Sequence, residues 1–105
     1  MPELHNNPTL TDIQNYVKEL ENERGFSQQG SIEKCLLLGE EIGELFKAVR
    51  KLENMNIDDK SKYTSVSEEL ADIIIYLCSI ANRYGIDLED AFRQKEEINK
   101  KRTWK

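Results

Sequence analysis

Proline occurs only at positions 2 and 8, so nothing beyond the eighth residue carries the ring that breaks a helix or strips a ladder of its donor. The β-branched residues never settle into a sustained alternation, and the apolar residues recur instead at helical spacing. The chain is therefore expected to be all-α. Its 105 residues suit a single domain over the whole length, 1–105, with residues 1–8 as a flexible tail.

Four helices follow from the pattern. The first runs from about Leu10 to Arg24, capped by Thr9 or Thr11, with Leu10, Ile13, Val17 and Leu20 on one face and Gly25 as its stop. Ser31 caps a long second helix from about Ile32 to Asn54, which at 1.5 Å per residue spans roughly 34 Å. The polar stretch from Asn54 to Thr64 lacks periodicity and is the connection expected to move most. Ser65 and Glu68 form the S-x-x-E capping box of a third helix that reaches about Tyr84. Gly85 closes it, and Asp87 opens a fourth that ends near Lys101. Short connections favour an antiparallel four-helix bundle. The second and third helices are apolar around much of their circumference, so the bundle is expected to be completed by homo-oligomerisation, as a homodimer or homotetramer.

Composition narrows the partners. Charged residues make up 33% of the chain and hydrophobic ones 38%, too apolar for disorder yet lacking any run near the roughly 18 residues that cross a bilayer. The start carries no basic and then greasy block, so a cytoplasmic protein without membrane contact is expected. A formal net charge of −5 opposes binding to a nucleic-acid polymer, but a small phosphorylated ligand remains compatible if cations sit between it and the acids. Cys35 and Cys78 have no C-x-x-C partner and read as reduced core thiols.

At about 100° per residue, Leu38, Ile42, Leu45, Val49 and Leu52 share one arc of the second helix. Glu41 and Glu44 flank that arc, and Glu40 turns further toward water. On the third helix Glu69, Asp72, Tyr76 and Arg83 share a stripe about 60° wide, beside Ile73 and Ile80. If the two helices lie side by side, Glu41, Glu44, Glu69 and Asp72 converge. Four such carboxylates repel one another and lose hydration unless a cation joins them. A hard, oxygen-preferring ion answers that need, magnesium before zinc or iron, with manganese as a substitute. A ferritin-like di-iron centre needs Glu-x-x-His pairs, and the only histidine is His5. The plainer alternative is that these acids form an ordinary solvated face.

On the fourth helix, Lys95, Asn99 and Arg102 fall on the same face as Leu88, Ala91 and Phe92. They either snorkel past the apolar stripe or form a donor row for a phosphate ligand. No G-x-x-x-x-G-K-[ST] loop is present, and neither cysteine has a histidine beside it, which excludes P-loop and thiol mechanisms.

Glu40-Glu41-Ile42-Gly43-Glu44 followed by Glu69-Leu70-Ala71-Asp72 resembles the E-E-x-x-E … E-x-x-D signature of MazG-like nucleoside triphosphate pyrophosphohydrolases. Lys95-x-x-x-Asn99-x-x-Arg102 is similar to that family's K-x-x-x-N-x-x-R ending, and the likeness extends from about residue 10 onward. The resemblance implies magnesium-dependent hydrolysis of a nucleoside or deoxynucleoside triphosphate to monophosphate and pyrophosphate, as nucleotide-pool house-cleaning. By matching positions it implies Glu41, Glu44, Glu69 and Asp72 as metal ligands and Glu40 as a supporting acid, making Glu40, Glu41 and Glu44 the catalytic acids. Lys95, Asn99 and Arg102 would contact phosphate or sugar. Tyr76 is placed to reach phosphate or sugar, Phe26 to stack on a base where the family often carries tryptophan, and Arg83 to bind substrate or form an ion pair. Phosphoribosyl-ATP pyrophosphohydrolase and a non-catalytic helical nucleotide-binding module are the competing readings.

Overall fold

Local chemistry sets each helix boundary in the computed structural model, which describes residues 2–54 and 65–102. Thr9 opens α1 (Leu10–Arg24) with a full capping box: its hydroxyl accepts from the Asp12 amide at 3.1 Å, and the Asp12 carboxylate accepts from the Thr9 amide at 2.9 Å. Gly25, at φ +79°, turns the chain back so that the Phe26 amide reaches the Glu21 carbonyl at 2.8 Å. α2 spans Ser31–Leu52, and here the sequence reading is corrected. Gly30 occupies the cap position without a side-chain bond, and Ser31 is the first helical residue, its hydroxyl accepting from Tyr84 Oη at 3.1 Å.

Ser65 caps α3 (Val66–Arg83) by accepting from the Glu68 amide at 3.1 Å. The Gly85 amide then reaches the Asn82 carbonyl and the Ile86 amide the Ala81 carbonyl, a Schellman closure that needs the φ of +64° at Gly85. Asp87 starts α4 (Leu88–Lys100) by accepting from the Glu89 amide at 3.0 Å. α1 ends at Arg24 as expected, and α2, α3 and α4 end one or two residues short of the expected positions, the usual fraying of a last turn. The predicted mobile connection falls, from residue 55 to 64, outside the described residues, as does Trp104.

Among the described residues the fold is all-helical, and the main packing pairs are α2 with α3, α3 with α1, and α1 with α4. The helices thus form a row with α2 and α4 at its edges. Adjacent members run antiparallel. Ser31, Lys34 and Glu41 on α2 meet Tyr84, Tyr76 and then Asp72 and Glu69 on α3. Gln14 ties α1 to α3 and α4. Its amide donates to Asn82 Oδ1 at 2.9 Å and to the Ile86 carbonyl at 2.6 Å, and its oxygen accepts from the Leu88 amide at 2.9 Å. This buried side chain is fully bonded, which is what makes its burial tolerable.

The buried apolar centre is small: Val17, Leu20, Ala48, Cys78 and Ala81. Two expectations are corrected. Cys35 is exposed, whereas Cys78 is enclosed and burial pushes its thiol up. Val49 and Leu52, assigned to the core arc, are exposed. Glu41 faces residues 69 and 72, so positions beyond Ala48 run past the first residue of α3, beyond the reach of that helix. No helix among the described residues is long and apolar enough to cross a membrane.

Candidate active site

The α2–α3 pairing brings Glu41, Glu69 and Asp72 together, with one carboxylate oxygen from each lying within 4.8 Å of the others. Glu69 is only 3% exposed, and Glu41 and Asp72 are half-buried. A hydrogen bond to Glu69, burial, and the charges of Glu69, Asp72 and Glu40 push the Glu41 carboxyl up to about 7. Crowding of this kind among three acids is what a divalent cation would relieve. The donor set is all oxygen, and its spread is comparable with two metal–oxygen bonds of about 2.0–2.6 Å each. The residues therefore fit a hard divalent ion.

Glu44 stands outside this trio. Its carboxylate pairs with Lys47 one turn on, at 3.6 Å, with both side chains about one-third exposed. Glu40 is exposed, outside the trio, and its charge raises Glu41 and Tyr76.

A cleft of about 310 Å³ extends from Glu41 and Asp72 past Leu37, Ile75 and Tyr76 to Leu20, Phe26 and Lys34. That size lies at the lower end of the roughly 300–1,000 Å³ typical of small-molecule sites. Burial, and then the charges of Glu41, Asp72, Glu40 and Glu21, push the Tyr76 phenol up, so it stays protonated as a donor. Phe26 sits at the opposite end, swung there by the Gly25 turn.

That end is built on a charge network which sequence reasoning missed. Lys34 and Glu21 are enclosed, with an Nζ to Oε2 distance of 3.4 Å and 6% exposure of each side chain. Arg83 grips both Glu21 oxygens at 3.1 and 3.0 Å. It also donates to the Gln29 carbonyl at 2.6 Å, the Phe26 carbonyl at 2.9 Å and Ser79 Oγ at 2.7 Å. Burial alone would push the Glu21 carboxyl up. Hydrogen bonds from Arg83 and Ser79, with the charges of Arg83 and Lys34, outweigh it and hold the group below its ordinary value.

Arg83 thus spends its donors on the loop and on Glu21. The available signal was register: Lys34 lies on the same stripe as Glu41, about 20° away, and Glu21 about 40° from Val17. Charged residues on a core arc are rarely buried without a partner.

The fourth-helix row lies elsewhere. Lys95 is exposed, and Asn99 donates to Glu96 at 3.3 Å. None of Lys95, Asn99 and Arg102 lines the cleft, because α4 packs on α1 at the far edge of the row.

The model of the MazG nucleotide pyrophosphohydrolase domain matches residues 27–103 of this sequence. The chain belongs to the MazG family. Its helices superpose on those of iMazG from Vibrio DAT 722 with a TM-score of 0.67 at 33% identity, covering 89% of this chain and 99% of that one. The MazG-family chain is also 32% identical over 100 residues to YvdC of Bacillus subtilis (strain 168), covering 89% of itself and 94% of that protein. It is similar at 32% identity to dCTP pyrophosphatase 1 of Homo sapiens, but spans only 59% of that protein's length. Membership makes this a nucleotide pyrophosphohydrolase.

Proposed function

We propose that this MazG protein hydrolyses nucleoside triphosphates, deoxynucleotides among them, to monophosphate and pyrophosphate, with magnesium as the resident ion and manganese as a substitute. The observation that carries the reading is the mutual crowding of Glu41, Glu69 and Asp72, two of which, Glu41 and Asp72, line a cleft of about 310 Å³. The similarity to dCTP pyrophosphatase 1 supports a deoxynucleotide within the substrate class. Glu41, Glu69 and Asp72 would hold a divalent ion, which would supply charge neutralisation for the triphosphate and activation of the attacking water.

The chain's own groups do the rest. Glu44, released from Lys47, would join Glu41, Glu69 and Asp72 in holding the ion. It would give up a pair about one-third exposed and worth no more than about 1 kcal/mol, a small cost beside relief of the acid cluster. A water oxygen bonds to the α-phosphorus as the bond from that phosphorus to the bridging oxygen breaks, and pyrophosphate leaves. Glu40, beside Glu41 and open to solvent, takes the proton that the water loses. The Tyr76 phenol donates to a phosphate or sugar oxygen, and Phe26 stacks on the base. Arg83 serves as a positioning residue, fixing the carbonyls of Phe26 and Gln29.

Lys95, Asn99 and Arg102 supply phosphate contacts to the cleft of a second copy. Support for this arrangement comes from their absence from the lining of their own cleft and from the exposed apolar side chains on α2 and α3. The substrate is a free nucleotide and not a nucleic-acid polymer, consistent with the acidic balance.

The deciding experiment measures pyrophosphate release from a panel of nucleoside and deoxynucleoside triphosphates, with phosphoribosyl-ATP included, in the presence and absence of magnesium. Release that requires the ion is expected. No release from any nucleoside triphosphate refutes the reading, and release from phosphoribosyl-ATP alone transfers the chain to that activity.

A further inference from the structure

Lys34 is a buried ammonium inside a ligand-sized cleft. The residue is 5% exposed, yet it lines the cleft at the end opposite the carboxylates. An ammonium carries three donors. Glu21 lies 3.4 Å from it, and the faces of Phe26 and Tyr76 lie below it with centroids at 5.3 and 5.6 Å. Aromatic faces satisfy a cation electrostatically but accept hydrogen bonds only weakly. Glu21 is itself shared with Arg83, which takes both its oxygens. Lys34 therefore retains donor capacity, in a place where an unused donor is costly and a ligand acceptor is strongly favoured.

Which part of a nucleotide supplies that acceptor follows from the cleft. The α-phosphate belongs with Glu41, Glu69 and Asp72, so the nucleoside and the pyrophosphate lie on opposite sides of that point. Between it and Lys34 the walls are Leu37, Ile75, Tyr76 and Phe26, apolar and aromatic, which suits a planar base and not a multiply charged pyrophosphate. At the inner end Lys34 presents its donors, Arg83 engages Glu21, Ser79 Oγ and the Gln29 carbonyl, and the exposed Arg24 is the other cation on the lining.

Building on the pyrophosphohydrolase reading above, we propose that Lys34 is the specificity-determining residue of this cleft: held by Glu21 between Phe26 and Tyr76, it donates to a carbonyl oxygen of the base. Bases that carry such a carbonyl are hydrolysed in preference to adenine, whose amino group offers a donor where Lys34 needs an acceptor. A site built around a buried donor discriminates strongly against a ligand that cannot meet it.

The test compares dITP with dATP on the full chain with magnesium, two purine nucleotides that differ at C6 in a carbonyl against an amino group. The parent favours dITP by about ten-fold in kcat/KM, the scale of one charge-assisted hydrogen bond. Equal handling of the two by the parent overturns the proposal, and this arm needs no variant to fold. In Lys34→Met, KM for dITP rises about ten-fold with the loss carried by KM and not kcat, and the preference collapses. A fall of equal size for both nucleotides would mean that Lys34 only props the wall, and would overturn the assignment. Should the parent turn over no nucleotide at all, the pyrophosphohydrolase reading fails by itself. Calorimetry with α,β-methylene analogues of dITP and dATP then judges Lys34 separately: about ten-fold tighter binding of the dITP analogue upholds it, and equal binding refutes it.

Discussion

The two buried charge clusters of this protein behave in opposite ways. Glu41, Glu69 and Asp72 are like charges held together, and the crowding raises the Glu41 carboxyl. Glu41→Gln and Asp72→Asn should each cut magnesium-dependent pyrophosphate release at least 100-fold while leaving the far-ultraviolet circular dichroism unchanged. Both should also melt higher than the parent in metal-free buffer, since they relieve the repulsion, and both should gain less from added magnesium. Glu21, by contrast, is an anion between two cations. Glu21→Gln leaves Lys34 and Arg83 buried without their counter-charge and should cost about 3 kcal/mol or more in urea unfolding. The sign of its pH dependence follows from its lowered pKa. The stabilisation is complete above the ordinary carboxylate value and is lost as the pH falls through the lower folded-state value, so acid should narrow the gap between parent and Glu21→Gln. The acid trio was legible as residues bordering an apolar arc. Lys34 and Glu21 were not, because a lone charge on such an arc acquires meaning only when its partner on another helix is known.

At the level of elements, caps and turns act on the site from a distance. Thr9→Ala removes the oxygen that satisfies the Asp12 amide and should lower stability by about 1 kcal/mol, read from the urea midpoint. Gly25 holds φ at +79°, with open space where a Cβ would be, so Gly25→Ala strains only the backbone. That substitution should cost about 1 kcal/mol and, by moving Phe26, raise KM for nucleotide more than it lowers kcat. Helix limits were readable to within two residues, since caps and glycines are local chemistry. The start of α2 was misplaced by one residue because Ser31 bonds across to Tyr84 on another helix, a contact with no local trace.

Across the whole molecule, a row of four helices leaves α2 and α4 as edges and gives a radius of gyration of 16.4 Å, against about 13 Å for a compact chain of this length. Ile32, Leu36 and Phe46 on α2, with Leu70 and Ile74 on α3, remain exposed at 47% or more. Equilibrium sedimentation should therefore find a dimer or tetramer at micromolar concentration, and Phe46→Glu should shift the population toward monomer. If the phosphate row of one copy serves the cleft of another, mixing inactive Asp72→Asn with inactive Lys95→Ala should restore part of the activity, whereas two separately complete sites would restore none. Sequence alone determined the helices, their limits and the identity of the acids, because periodicity, capping and the absence of proline are properties of neighbouring residues. Tertiary structure alone decided that Glu44 stands aside, that Lys34 and Glu21 form the far wall, and that α4 lies away from the acids. Those outcomes depend on which helix packs against which, and that choice is made by contacts between segments far apart in the chain.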